Sequence, residues 1–205
     1  MAVRAILLDF GGVLAEEGFR EGLNAIASQQ GLDSREIFER GMGAAYDSGY
    51  ALGSGKESDF WDLLRQRTGI RGDDSTLRAE ILSRFVVRVW LLAIAQSLRQ
   101  KGYVVGILSG QCQWLEEPDA SQRFLGEFDR VFVSYKLGKG KRDPSLFNDV
   151  VRELGIEPQE ILFIDDDVGN VQHAREHGLQ ALVYHDRGHL EADLETVLGM
   201  STKLA

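Results

Sequence analysis

Five short, mainly apolar runs recur along the chain, at residues 3–8, 103–108, 131–134, 161–164 and 181–184. None alternates polar with apolar positions. Each therefore predicts a strand buried on both faces, as in a parallel sheet. The stretches between them carry helical punctuation. Leu91 to about Gln100 reads as a helix followed by Gly102. Asp143 is placed to cap a second, with Pro144 in its first turn, Leu146, Phe147, Val150, Val151 and Leu154 along one face, and Gly155 at its end. Asn170 to His177, closed by Gly178, gives a third. Strands alternating with helices predict an α/β fold, a doubly wound parallel sheet of the Rossmann-like kind.

Residues 16–88 break the alternation. They hold no buried-strand pattern and show helical stretches around 20–30, 34–50, 57–68 and 74–88. This segment joins the first strand to the first core helix, where a crossover needs only about a dozen residues. The expected organisation is a core of residues 1–15 and 89–205, interrupted by an α-helical cap at 16–88 that sits over the carboxyl ends of the strands. Phe60 and Trp61 are expected to hold the cap helices together.

Composition narrows the class. With 205 residues, 43% hydrophobic, 27% charged and only 3 prolines, the chain can form a core and is no disordered or low-complexity scaffold. The single cysteine, Cys112, excludes an internal disulfide framework and a cysteine-only zinc cage, and is read as structural. The apolar run at the N-terminus is too short for a signal peptide and lacks a small-residue cleavage site, and the one around Arg88 is too short to cross a bilayer, so a cytoplasmic location with no membrane partner is expected. The 32 acidic residues exceed the 23 basic ones, giving a formal charge of -9 that disfavours nucleic acid. An acidic protein that binds an anion needs a cation to mediate the contact.

The polar residues that follow the strands supply a place for one. Asp9, Ser109 and the run Asp165–Asp167 each come directly after a buried run, and strand carboxyl ends share one crevice in an open α/β sheet. Clustered carboxylates repel one another, and Mg²⁺, a hard ion taking oxygen ligands, suits them. His173 and His177 have i, i+4 spacing but no third ligand in view; they are read as a solvated helix face, as are His185 and His189.

The same residues resemble the motifs of the haloacid dehalogenase (HAD) superfamily. Asp9-Phe10-Gly11-Gly12-Val13-Leu14 is similar to its first motif and Ile107-Leu108-Ser109-Gly110 to its second. Lys141-Arg142-Asp143-Pro144 resembles the lysine-containing third, and Phe163-Ile164-Asp165-Asp166 with Asn170 the acidic fourth. The resemblance implies a hydrolase with a small helical cap, acting on a small phosphorylated metabolite. Asp9 would be the nucleophile forming an aspartyl-phosphate. Ser109 and the Gly110 N–H would hold phosphate oxygens, and Lys141 would neutralise the nucleophile and the transferring group. Asp9, the Gly11 carbonyl, Asp165 and Asp166 would bind Mg²⁺.

One position departs from the family pattern. Its phosphatases usually carry a second Asp two residues after the nucleophile as general acid and base, and here that residue is Gly11. A leaving group of low pKa, or a base just beyond the motif such as Glu16 or Glu17, could compensate. The alternatives are a non-catalytic phosphate-binding protein, or a dehalogenase-like hydrolase attacking carbon without metal.

Overall fold

The structure, a computed structural model, describes residues 2–199. Five parallel strands, β1 (Ala5–Leu8), β2 (Val104–Ser109), β3 (Arg130–Val133), β4 (Ile161–Asp165) and β5 (Gln180–Val183), form one sheet in the order β3-β2-β1-β4-β5. Four helices, α1 (Gly18–Gln30), α2 (Ser34–Asp47), α3 (Glu57–Thr68) and α4 (Asp74–Leu82), follow β1. Then come α5 (Val89–Gln100), α6 (Glu116–Gln122), α7 (Ser134–Leu137), α8 (Ser145–Leu154), α9 (Val168–Glu176) and α10 (Arg187–Leu198). None of the helices among the described residues is long and apolar enough to cross a membrane.

Both faces of the sheet are covered, which is why its strands read as continuous apolar runs. Successive residues of β1 point to opposite layers. Ala5 and Leu7 pack with Phe163, Leu108 and the inner faces of α8 and α9, through Leu146, Phe147, Val150, Val171 and Ala174. Ile6 and Leu8 face the other layer, with Leu91, Ile94 and Leu98 of α5 and Leu190 and Leu194 of α10. The second layer continues into the aromatic core of α1–α4, where Phe60 and Trp61 are fully buried with ring centroids 4.7 Å apart.

Two antiparallel stretches join α1–α4 to the sheet. Ala15 bridges Val87, the Glu16 N–H donates to the Val86 carbonyl (3.0 Å), and the Arg88 N–H donates to the Leu14 carbonyl (2.8 Å). The Arg88 guanidinium ties the junction, donating to the carbonyls of Gly12 (2.6 Å) and Val13 (2.5 Å) and to both carboxylate oxygens of Glu16.

Several element boundaries differ from the sequence expectation. The fourth helix of the segment ends at Leu82 rather than 88, because residues 83–88 return as extended chain that buries Phe85 and Val87 and pairs with residues 14–16. The second ends at Asp47, capped at Ser48. The helix expected from Pro144 begins at Ser145, with Asp143 still receiving the Ser145 N–H (3.0 Å). Helix α9 starts at Val168, two residues early, because Asp167 caps it by accepting from the Asn170 N–H (2.9 Å). Helix α10 had no sequence expectation at all.

Candidate active site

Register brings three strand ends close together. Leu8 pairs with Ile107 on one side and Ile164 on the other, so Asp9 and Asp165 stand at one level and Ser109 one residue further along. The Asp9 N–H donates to the Ile164 carbonyl (2.9 Å), and its Oδ1 accepts from the Phe10 N–H (2.7 Å). The Phe10 ring is stacked against Phe85 (5.5 Å) and Phe124 (5.4 Å), which anchors the turn. Gly12 then takes φ 87°, a left-handed conformation, and a Cβ there would stand 2.4 Å from Asp166 Oδ2. Only glycine both adopts that backbone and leaves room for the Asp166 carboxylate.

Lys141 enters from the loop before α8. Its Nζ lies 2.8 Å from Asp9 Oδ2 and 2.6 Å from Asp165 Oδ2, with 7% of its side chain exposed. Asp165 is fully buried, and its Oδ1 also accepts from the Asp167 N–H (2.8 Å) and Asn170 Nδ2 (3.1 Å). It is thus a post holding Lys141 and the first turn of α9, while Asp9 and Asp166 face an open crevice of about 570 Å³. Ser109, Gly110 and Lys141 line the same crevice.

The electrostatics leave this cluster short of positive charge. Burial pushes the Asp9 carboxyl up to about 7, against the pull of Lys141 and the Ser109 hydroxyl. Burial and then the Asp165 charge raise Asp166 as well. Burial alone would lower Lys141, but the attraction of Asp9 and Asp165 outweighs it and holds the ammonium charged, above the usual lysine range. Ligand oxygens of Asp9, Asp165 and Asp166 lie within 4.8 Å of one another. Three carboxylates against one ammonium leave two negative charges uncompensated, and the donors are all hard oxygens. That set fits a divalent cation such as Mg²⁺.

A family model for haloacid dehalogenase-like hydrolases matches residues 3–178. The chain belongs to this family. A HAD family enzyme from Bacteroides thetaiotaomicron, solved in complex with magnesium and inorganic phosphate, superposes with a TM-score of 0.69 at 25% identity, covering 92% of this chain and 99% of that one. D-ribitol-5-phosphate phosphatase from the same organism is 26% identical over 48% of this chain and 52% of its own length. Drimenol cyclase from Aspergillus calidoustus is 23% identical over 96% of this chain but 37% of its own length. The chain thus spans between about a fifth and a half of the length of the curated relatives it matches.

For this HAD-like hydrolase the departure at Gly11 has a structural counterpart. Glu17 caps α1, its Oε2 accepting from the Arg20 N–H (2.6 Å), while its Oε1 lies 3.7 Å from where a Cβ on Gly11 would be. Glu17 lines the crevice, and burial raises its pKa. Glu16 does not: it is turned to Arg88 (2.8 Å) at the junction, which removes it as a candidate for compensating Gly11.

Other expectations need adjusting. His173 and His177 are half-buried rather than solvated: His173 lines the crevice with Nδ1 3.3 Å from the Lys141 carbonyl, and His177 Nδ1 is 2.9 Å from the His173 carbonyl. Cys112 does line the crevice, and burial pushes its thiol up to about 11. The sequence reading missed the crevice wall. Phe38, Met42, Ala45 and Tyr46 of α2 line it at i, i+4, i+7 and i+8 spacing, and Arg142 lies over the Tyr46 ring at 4.3 Å. Such a stripe reads in sequence as ordinary core, because periodicity does not say what a face is packed against.

Proposed function

We propose that the chain is a Mg²⁺-dependent phosphatase that hydrolyses a small phosphorylated metabolite through an aspartyl-phosphate on Asp9. The carrying observation is the buried Lys141 shared by Asp9 and Asp165, with Asp166, which has no ion-pair partner among the described residues, beside them across the Gly12 turn. The Bacteroides relatives, one crystallised with magnesium and phosphate and one named as a phosphatase, support the reading. Three clustered acids disfavour metal-free attack on carbon. Glu17 beside Gly11 disfavours a purely non-catalytic phosphate binder.

Asp9, Asp166 and the Gly11 carbonyl would hold Mg²⁺, with Asp165 contributing mainly through Lys141. The ion would supply charge neutralisation for a phosphoryl group approaching two carboxylates. An Asp9 carboxylate oxygen attacks phosphorus and the ester P–O bond breaks. Glu17 gives its proton to the departing alkoxide. Lys141 and the Ser109 hydroxyl, with the Gly110 N–H, hold the non-bridging oxygens as charge builds on them. Glu17 then takes a proton from water, which attacks the phosphorus of the aspartyl-phosphate, releasing inorganic phosphate and restoring Asp9. Residues 16–88 act as a cap over the core of 1–15 and 89–205, excluding bulk water during transfer.

Phosphate release from a panel of monoesters, with Mg²⁺ or with a chelator, tests the reading. Release that needs the metal and is lost in Asp9→Asn supports it; release unaffected by either change overturns it.

A further inference from the structure

The crevice is larger than a phosphoryl group requires. Asp9, Ser109, Lys141 and Asp166 account for its floor, yet it extends to about 570 Å³. Much of the remainder is walled by rings, with Gln111, Asp167, Asn170 and His173 as polar neighbours from the part of the chain after β2. Phe38, Phe19, Phe60, Tyr50 and Trp114 follow one another with centroid separations of 6.3, 6.3, 6.0 and 5.8 Å, and all five border the space. Trp114 comes from the part of the chain that follows β2, the other four from residues 19–60.

The rim adds two guanidinium groups that already lie over rings, Arg20 above Phe38 (4.1 Å) and Arg142 above Tyr46 (4.3 Å). Arg142 has no ion-pair partner among the described residues. Of the residues between 16 and 88 that border the space, only Glu17, Arg20 and Glu39 are charged. Gly140 makes way for this wall, since a Cβ there would meet the Tyr46 hydroxyl, and burial keeps that hydroxyl protonated. Sugar and polyol groups are held by converging hydrogen-bond partners. A ring array with cations over its edge instead favours a flat aromatic group, through offset or edge-to-face contacts and cation–π attraction.

We propose that this chamber seats an aromatic ring in the alcohol part of the substrate, so that the enzyme selects ring-bearing phosphate monoesters over sugar and polyol phosphates. This rests on the phosphatase reading for turnover but not for binding.

The test uses phenylpropyl phosphate, hexyl phosphate and glycerol 1-phosphate, all with primary alkoxide leaving groups; the glycerol alkoxide is the least basic, so a preference for the phenylpropyl ester runs against leaving-group ability and reports the chamber. The expected kcat/KM for the phenylpropyl ester exceeds that of glycerol phosphate by about tenfold or more and that of the hexyl ester several-fold. Phe38→Ala, at the half-buried rim, lowers both ratios while its melting temperature confirms folding. Equal values for the phenylpropyl and glycerol esters overturn the proposal, and equality with the hexyl ester removes the ring requirement. Calorimetric binding of phenylpropylphosphonate and hydroxypropylphosphonate, each with Mg²⁺, separates the two readings. If no ester turns over but the phenyl compound binds about tenfold tighter, the chamber stands and the phosphatase reading falls. Equal affinities overturn the chamber whatever the activity.

Discussion

Oε1 of Glu17 stands 3.7 Å from the point where a side chain at Gly11 would begin. The start of α1 thus brings a carboxylate beside the position where the first motif lacks one. Glu17→Gln should lower kcat by about 10²- to 10⁴-fold with little change in KM. Glu16→Gln, which only loosens the contact with Arg88, should leave turnover near normal. The other near neighbours of a Cβ at Gly11, Gln111 Nε2 at 3.4 Å and Phe85 at 3.5 Å, are at ordinary contact distance, so a Cβ fits there. Adding Gly11→Asp to Glu17→Gln should therefore recover part of the lost rate. Steady-state kinetics on the three variants decides this, and an unchanged kcat in Glu17→Gln would refute the role.

Lys141 is a buried cation between two carboxylates, so removing it leaves both without a counter-charge. Lys141→Met should cost about 3–5 kcal/mol of stability in the absence of metal, as is typical for breaking a buried pair. Mg²⁺ should return part of that loss, because it supplies positive charge to the same oxygens. Urea unfolding with Mg²⁺ and with chelator measures both effects. A variant as stable as the parent in chelator would contradict the pairing.

Protons and metal should compete at Asp9. Its folded-state pKa of about 7 lies above that of an unfolded aspartate, so its stabilising effect is complete below about pH 4 and lost as pH rises through 7. Mg²⁺ binding must displace a proton at the acidic end and meets an ionised carboxylate at the alkaline end. The melting-temperature gain from Mg²⁺ should thus be larger near pH 8 than near pH 5.5. Scanning calorimetry at the two pH values checks it; a larger gain at the acidic end would reverse the sign and refute the assignment.

Cys112 borders the crevice but is held as a thiol, pushed up to about 11 by burial. Iodoacetamide at pH 8 should label it far more slowly than a free thiol, since the thiolate is the reactive form. A mass-spectrometric time course measures the rate, and labelling as fast as a free thiol would show the sulfur to be open.

The sheet and the floor of the crevice were legible in the sequence for a common reason. Strands covered on both faces must be apolar throughout, so the first polar residue at the end of each run marks a strand end: Asp9 directly follows β1, while Ser109 and Asp165 are themselves the last residues of β2 and β4. What could not be read depended on partners distant in sequence. Residues 83–88 look helical until Ala15 and Glu16 are placed beside Val87 and Val86. Helix α10 buries only Leu190 and Leu194, too sparse a stripe to stand out. Glu16 and Glu17 are neighbours with identical side chains, and only the turn into α1 sends one to Arg88 and the other to Gly11.

The most direct test asks where the phosphoryl group goes. A single turnover with Mg²⁺, quenched in acid and analysed by peptide mass spectrometry, should show one phosphoryl group on the peptide containing Asp9, absent in Asp9→Asn. Phosphate released at full rate by Asp9→Asn, or a phosphoryl group on any other residue, would contradict a nucleophilic Asp9.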